Sequence, residues 1–331
     1  MKAYTIIAVL AVIAATYMIF HPDAQNYEMM QRYQQYLAEY GKSYNNAQEF
    51  EFRFQIFMDN VQLIDAHNAQ ESTFTMGVNQ FADWTNEEYR KLLTYVPSSS
   101  ACEDTVCNSA SEESVDWVKD GAVNPVQDQG LCSSSWAFSA VAAIEASHFK
   151  ATGELLKFSE QQFIDCSVDL FQGCNGGSKE DAMIWAEKNE LCLESEYKYT
   201  GSVGVCKQSE CTKTYSTVSK CHSICSNNPD AFKAALEVEP LSVAVDASSP
   251  EFKFYSGGVL DTPSCGTSVN HNVLAVGYNT NVGSEYFISS NSWGSDWGEN
   301  GIFRITTKNS NPIPKEGVCG IYREISYPES Q

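Results

Sequence analysis

The stretch that decides the reading is Gln127-Asp128-Gln129-Gly130-Leu131-Cys132-Ser133-Ser134-Ser135-Trp136, continued by Ala137 and Phe138. A Gln-x-Gly turn leads through one cysteine and three serines into an apolar segment, Ser135 to His148, that reads as a helix stopped by Gly153. A helix start gathers unpaired backbone N–H groups and the positive end of the helix dipole, so negative charge is favoured at Ser135. A thiol placed there beside a histidine ionises at ambient pH, whereas a hydroxyl does not.

Downstream, Asn270-His271-Asn272-Val273 opens a strand-like run, and Asn291-Ser292-Trp293-Gly294 is followed by Trp297-Gly298-Glu299. A lone histidine ahead of a strand is more often structural than catalytic. Ser159 with Gln162 reads as a capping box, and Asp181–Lys188 and Pro229–Val238 read as further helices. From Leu241 the texture changes: Leu241–Asp246, Val273–Tyr278, Tyr286–Ser290 and Ile302–Ile305 carry β-branched and aromatic residues between Gly and Asn punctuation. Helices first and strands second predict an α+β chain of two lobes with a cleft between them.

Upstream, Lys2 followed by the uncharged run Ala3–Phe20 reads as a secretory signal over residues 1–20, or as an uncleaved anchor, since about 18 apolar residues can span a bilayer. Tyr27–Lys42 is helix-prone. Glu49, Arg53, Phe57, Asn60, Ile64 and Asn68 recur at spacings of 4, 4, 3, 4 and 4, which places them on one stripe of a helix. Gly77, Asn79, Phe81 and Asp83 follow. Val96–Ser114 is serine-rich and polar and reads as a flexible linker.

The chain has 331 residues, 43% of them hydrophobic, enough for a full core. Its formal net charge of -21 argues against nucleic acid or anionic membrane as a partner, apart from the leader. Twelve cysteines behind a leader imply an oxidising compartment. With five histidines and no paired C-x-x-C units, no metal and no cofactor is expected.

The Cys132–Trp136 segment resembles the active-site segment of papain-family, cathepsin L-like cysteine proteases, C-G-[SA]-C-[WY]. The stripe and the Gly77–Asp83 motif match the E-R-F-N-I-N and G-x-N-x-F-x-D signatures of that family's propeptides. The resemblance covers nearly everything after the leader. It implies an α+β, two-lobed papain-like fold, with a helical left lobe and an antiparallel β-barrel-like right lobe. An inhibitory propeptide over 25–110, lying along the cleft in reverse polarity, would precede a peptidase domain over 111–331. The protein would be a monomer that binds its own propeptide in cis and a peptide or protein in the cleft, in a lysosome-like or vacuole-like compartment or outside the cell.

Carried over residue by residue, Ser135 stands where the attacking cysteine belongs. His271 would be the base, Asn291 its orienter under the shield of Trp293, and Gln129 an oxyanion-hole donor. Gly177 and Ser133 would border the substrate, and Ser178, Lys179, Ala244, Val269 and Glu324 would wall the specificity pocket. Glu324 would accept a basic side chain unless Lys179 neutralised it. The resemblance also implies the bridges Cys132–Cys174, Cys166–Cys206 and Cys265–Cys319. Cys192, Cys211, Cys221 and Cys225 are expected to form two extra bridges of open connectivity. Cys102 and Cys107, in the linker, are read as a local pair lost on processing.

Ser135-His271-Asn291 joins the nucleophile of one protease class to the orienter of another. Exchanging the carboxylate for Asn costs about 10⁴ in kcat in the serine-protease template. The leading expectation is a catalytically impaired pseudoprotease that binds peptides or protein partners. The alternatives are a weak serine-type hydrolase and a non-catalytic storage or structural protein.

Overall fold

The structure, a computed structural model, describes residues 24–98, 102–167, 172–281, 285–308 and 314–331. The expected leader at 1–20 lies outside them. The chain divides into two compact units, one of Met1–Glu71 with Gly77–Tyr89 and the other of Ser72–Met76 with Arg90–Gln331.

The first unit holds helices α1 (Ala24–Glu39) and α2 (Ala47–Asn68) and the start of α3 (Asn86–Arg90). Asn46 caps α2 by accepting the Glu49 N–H. Apolar members of the α2 stripe, Phe57 and Ile64, are buried, and Phe57 packs on the rings of Tyr33 and Tyr36. Its polar members close loops. Arg53 donates to Glu49 at 2.7 Å and to both Glu88 carboxylate oxygens at 2.6 Å, and the Asn60 amide donates to the Ala82 carbonyl at 2.8 Å. The Arg53 guanidinium draws the Glu88 carboxyl down to about 2. In the second motif Asn79 accepts the Phe81 N–H. The buried Asp83 accepts from Tyr36, Lys42 and Tyr44. Both signatures are thus the tertiary contacts of one small helical unit.

The second unit is built on one sheet. Its strands are β1 (Phe74–Met76), β2 (Glu103–Val106), β3 (Ser114–Asp116), β6 (Val218–Ile224), β7 (Leu241–Val245), β8 (Tyr255–Leu260), β9 (His271–Asn279), β10 (Tyr286–Ser290), β11 (Ile302–Thr306) and β12 (Ile325–Ser330). The order is β1-β8-β11-β10-β9-β7-β12-β6-β2, with β3 beside β9, and a separate ribbon pairs β4 (Leu191–Cys192) with β5 (Thr214–Tyr215). Most pairings are antiparallel; β8–β11 and β2–β6 are parallel.

Helix α4 (Ser135–Thr152) lies against β7, β9 and β12, with Trp136, Ala140, Val141 and Ile144 in the core. Its end is set by Gly153, whose φ of 75° is the left-handed cap that glycine adopts without strain. Helices α5 (Glu160–Cys166) and α6 (Lys179–Ala186) pack nearby, and α7 (Pro229–Leu236) starts at the expected proline.

Three expectations about local structure need correction. The Ser159–Gln162 box is only half made: Ser159 accepts the Gln162 N–H at 3.0 Å, but the Gln162 amide donates to the Glu190 carbonyl and the Ser159 N–H to the Cys192 carbonyl. Tertiary acceptors displace the local reciprocal bond. The α6 helix begins two residues earlier than read, because Ser178 caps it. The linker is not wholly free, since part of it forms β2.

The bridges Cys132–Cys174, Cys166–Cys206 and Cys265–Cys319 are present. Cys192 pairs with Cys211. Cys102 and Cys107 do not pair with each other: Cys102 bonds Cys221 and Cys107 bonds Cys225. The β2–β6 ladder brings the two cysteine pairs into register across the sheet, which no local spacing reveals.

Candidate active site

The site gathers where the N-terminus of α4 faces the first residues of β9 and the loop after β10. Ser135 is the first residue of α4, and His271 the first of β9. The imidazole Nε2 lies 2.8 Å from Asn291 Oδ1. The Trp293 ring packs over the histidine with centroids 4.5 Å apart, which keeps water from that hydrogen bond. His271 is buried, and its Nδ1 has no hydrogen-bond partner.

The Ser135 hydroxyl accepts the backbone N–H of Asn272 at 3.2 Å, and the Asn272 carboxamide lies 3.5 Å away. Residue 272 therefore meets the serine from both its backbone and its side chain, a contact absent from the sequence reading. Only its position directly after His271 could have signalled it.

Burial pushes the His271 imidazole down to about 4, opposed in part by the hydrogen bond to Asn291. No charged neighbour contributes, as a thiolate would. A histidine depressed in the fold gives stability that is fully present above its unfolded pKa near 6.5 and lost as pH falls towards 4. We therefore expect the His271 Cε1–H resonance to keep its neutral position from pH 7.5 to 5. A midpoint above 6 would contradict the buried, uncompensated site.

Gln129 is held on three sides. Its N–H donates to the Ser292 carbonyl at 2.9 Å, its Oε1 accepts the Ser292 hydroxyl at 2.7 Å, and its Nε2 donates to the Cys132 carbonyl at 2.8 Å. An amide nitrogen carries two hydrogens, and the bond to Cys132 uses one of them. Ser134 contributes a 2.9 Å hydroxyl contact to Tyr199.

The segment after α3 lies on the site's other side. The Ser133 hydroxyl donates to the Lys91 carbonyl. Tyr95 bridges Gly177 in parallel, and the Val96 N–H donates to the Gly177 carbonyl. Gly177 must be glycine, because a Cβ there would come within 2.5 Å of the Trp136 ring.

Around the expected specificity pocket, Ala244 is buried in β7 and its N–H donates to the Glu324 carbonyl at 3.0 Å. Val269 is half-buried and neighbours Gly320. The Glu324 carboxyl is half-buried; burial raises it above the usual range, against the pull of Lys179. The Tyr95 hydroxyl is raised first by burial and then by the carboxylates of Glu180 and Glu324. Ser178 caps α6 through the Asp181 N–H and donates to Glu180.

Lys179 corrects the reading most plainly. It is fully buried, its ammonium pairs with Glu180, and it donates to Ser326 at 2.7 Å. Its charge neutralises its sequence neighbour rather than Glu324. Behind the site, Lys157 lies between Glu145 and Glu160. These charges border a small cavity that Asn272 and Asn291 also line. Among the described residues no group of three or more His, Cys, Asp or Glu could hold a metal ion.

Comparison with known proteins shows the family. The model for "Papain family cysteine protease" matches residues 111–329, and that for "Cathepsin propeptide inhibitor domain (I29)" matches 33–89. The senescence-specific cysteine protease SAG39 of Oryza sativa subsp. japonica is 40% identical over 311 residues, covering 91% of this chain and 90% of that protein. Cysteine protease XCP2 of Arabidopsis thaliana is 37% identical, covering 91% and 86%. Among solved structures, a recombinant stem bromelain precursor superposes with a TM-score of 0.82 at 34% identity, covering 91% of this chain and 98% of that one. Digestive procathepsin L 3 of Tenebrio molitor larval midgut gives 0.78 at 34% identity, with the same coverage. The chain belongs to the papain family of cysteine proteases, in zymogen form with its own cathepsin-type propeptide inhibitor domain.

Proposed function

We propose that this family member is a pseudoprotease of the secretory pathway, whose processed form holds peptides or a protein partner in its cleft with little or no turnover. The observation that carries the reading is the buried Ser135 hydroxyl, which accepts from Asn272 beside a histidine that burial keeps neutral. In this reading Ser135 occupies the nucleophile position, Asn291 orients His271, and Gln129 offers its remaining amide hydrogen to an oxyanion. Without a thiolate no ion pair forms, and Asn291 cannot stabilise an imidazolium as a carboxylate would. The apolar leader and six disulfides support an oxidising secretory compartment.

The test is to purify the processed protein and look both for retained peptides by mass spectrometry and for hydrolysis of a fluorogenic peptide. Retention without hydrolysis supports the proposal, and efficient hydrolysis of the fluorogenic peptide overturns it. The unpartnered Nδ1 of His271 favours one second reading, a slow serine-type hydrolase. Covalent labelling of Ser135 by a fluorophosphonate probe would establish that reading.

Self-maturation in acid should not occur, because it requires a working nucleophile. Pure proprotein held at pH 4 to 5 for hours should stay intact by electrophoresis; cleavage that accelerates with protein concentration would reverse this expectation.

Glu324 should confer selection for Arg or Lys at the second position before the scissile bond, through a charge-assisted hydrogen bond of about 1.5–3 kcal/mol. The preference is present above the raised pKa of Glu324 and lost as pH falls through it. In a peptide-library screen, Glu324→Ala should shift selection towards apolar residues. An unchanged profile would place Glu324 outside the pocket.

A further inference from the structure

The chain between the cleft segment and the peptidase region is fastened to that region at two points. Cys102 bonds Cys221 and Cys107 bonds Cys225, across 119 and 118 residues. Both partners lie inside 111–329, at β6 and just beyond it. The β2–β6 ladder runs between the two bridges. Immediately downstream, Asn108 and Ser109 are exposed. Ser111 and Glu112 then dock by their backbone N–H groups on the Glu237 carboxylate, at 2.6 and 2.7 Å, ahead of β3. The stretch 108–110 is therefore the accessible length of backbone between the last bridge and the first docked residue of the peptidase region.

We propose that 108–110 is a processing site for another protease, and that a cut there yields a disulfide-linked two-chain protein rather than a free mature domain. The upstream chain stays bonded to β6, so the Lys91–Ser98 segment remains a tethered ligand of the cleft. Only about six residues separate Cys102 from the Val96–Gly177 bond, and linkers of that length hold a ligand at roughly millimolar effective concentration. Cutting at 108–110 alone leaves the cleft covered. Release requires a second cut on the N-terminal side of Cys102, or reduction of both bridges. In reduction each bridge takes two electrons and two protons from an external dithiol, which leaves as its own disulfide. The proposal depends on the bridges alone and holds whether or not Ser135 supports turnover.

A site-specific protease recognition sequence inserted after Ser109 of the full oxidised chain tests it. After cleavage, non-reducing electrophoresis should show one species at the uncut mass, and dithiothreitol should divide it into two. Peptide mapping should recover Cys102–Cys221 and Cys107–Cys225. Hydrogen exchange at Val96 should be unchanged by the cut and accelerate more than tenfold when the bridges are reduced. Fragments that part without reductant, a Cys102–Cys107 pair in the map, or exchange at Val96 that rises on cutting alone would each overturn the proposal. A variant carrying Cys102→Ser, Cys107→Ser, Cys221→Ser and Cys225→Ser should separate on cutting without reductant. If it does not fold, the gel and map of the unaltered cysteines still decide.

Discussion

Ser135→Cys should turn the processed protein into a thiol-dependent peptidase, with kcat/KM for a small peptide rising about 10⁴-fold or more. That is the scale on which the loss of a nucleophile or its orienter acts in hydrolytic triads. The physical change is one atom. A thiol starts from a pKa near 8.5, and the start of α4 and the nearby imidazole both lower it. The resulting thiolate would hold His271 protonated, reversing the depression that burial now imposes. Asn291 already hydrogen-bonds His271, and Trp293 packs over its ring. The measurement is turnover before and after alkylation, beside the unaltered protein. A variant that folds, is processed and reacts with iodoacetamide, yet hydrolyses nothing, would show that the defect extends beyond the nucleophile. Asn272, which contacts residue 135 twice, and Ser133 would then be examined first.

Lys179→Ala should destabilise the peptidase region by about 3–5 kcal/mol, the cost of leaving a buried charge without its partner. At roughly 2–4 °C per kcal/mol for a region of this size, Tm should fall by roughly 6–20 °C. The cause is Glu180, nearly as buried as the lysine and held charged because the ammonium outweighs the cost of its burial. Removing both charges together, as in Lys179→Met with Glu180→Gln, should recover most of the loss, because a buried pair can often be exchanged for neutral groups at little cost. Thermal unfolding of the single and double variants decides. A single variant within about 1 kcal/mol of the unaltered protein would mean that the pair is solvated in solution. Its peptide selectivity should not sharpen, because Lys179 does not pair with Glu324.

Local patterns made much of this molecule readable. The stripe from Glu49 to Asn68 reads as a helix face from spacing alone, and Gly153 and Pro229 mark helix ends through their own backbone constraints. Ser135, His271 and Asn291 stood out through their resemblance to papain-family segments; periodicity marks only the elements they border. The Asn272 contact was not legible, since it depends on how the start of β9 meets the start of α4. The pocket walls were half legible: the positions could be named, but not the partners of their charges. Lys179 lies one residue from Glu180 and far along the chain from Glu324, and only the packing of α6 against β12 selects the nearer carboxylate and Ser326.

What the sequence by itself determined is a part of the elements and the side chains at their ends: a helix beginning with a hydroxyl, a strand beginning with a histidine, and a count of twelve cysteines. These follow from bonding and periodicity within a few residues, so they can be read from the order of side chains. Only the tertiary structure decided which cysteines meet, which carboxylate neutralises Lys179, and that the Ser135 hydroxyl is occupied by Asn272. Each of those choices is a competition among partners distant along the chain, settled by strand register and by the cost of burying a charge or polar group without its complement.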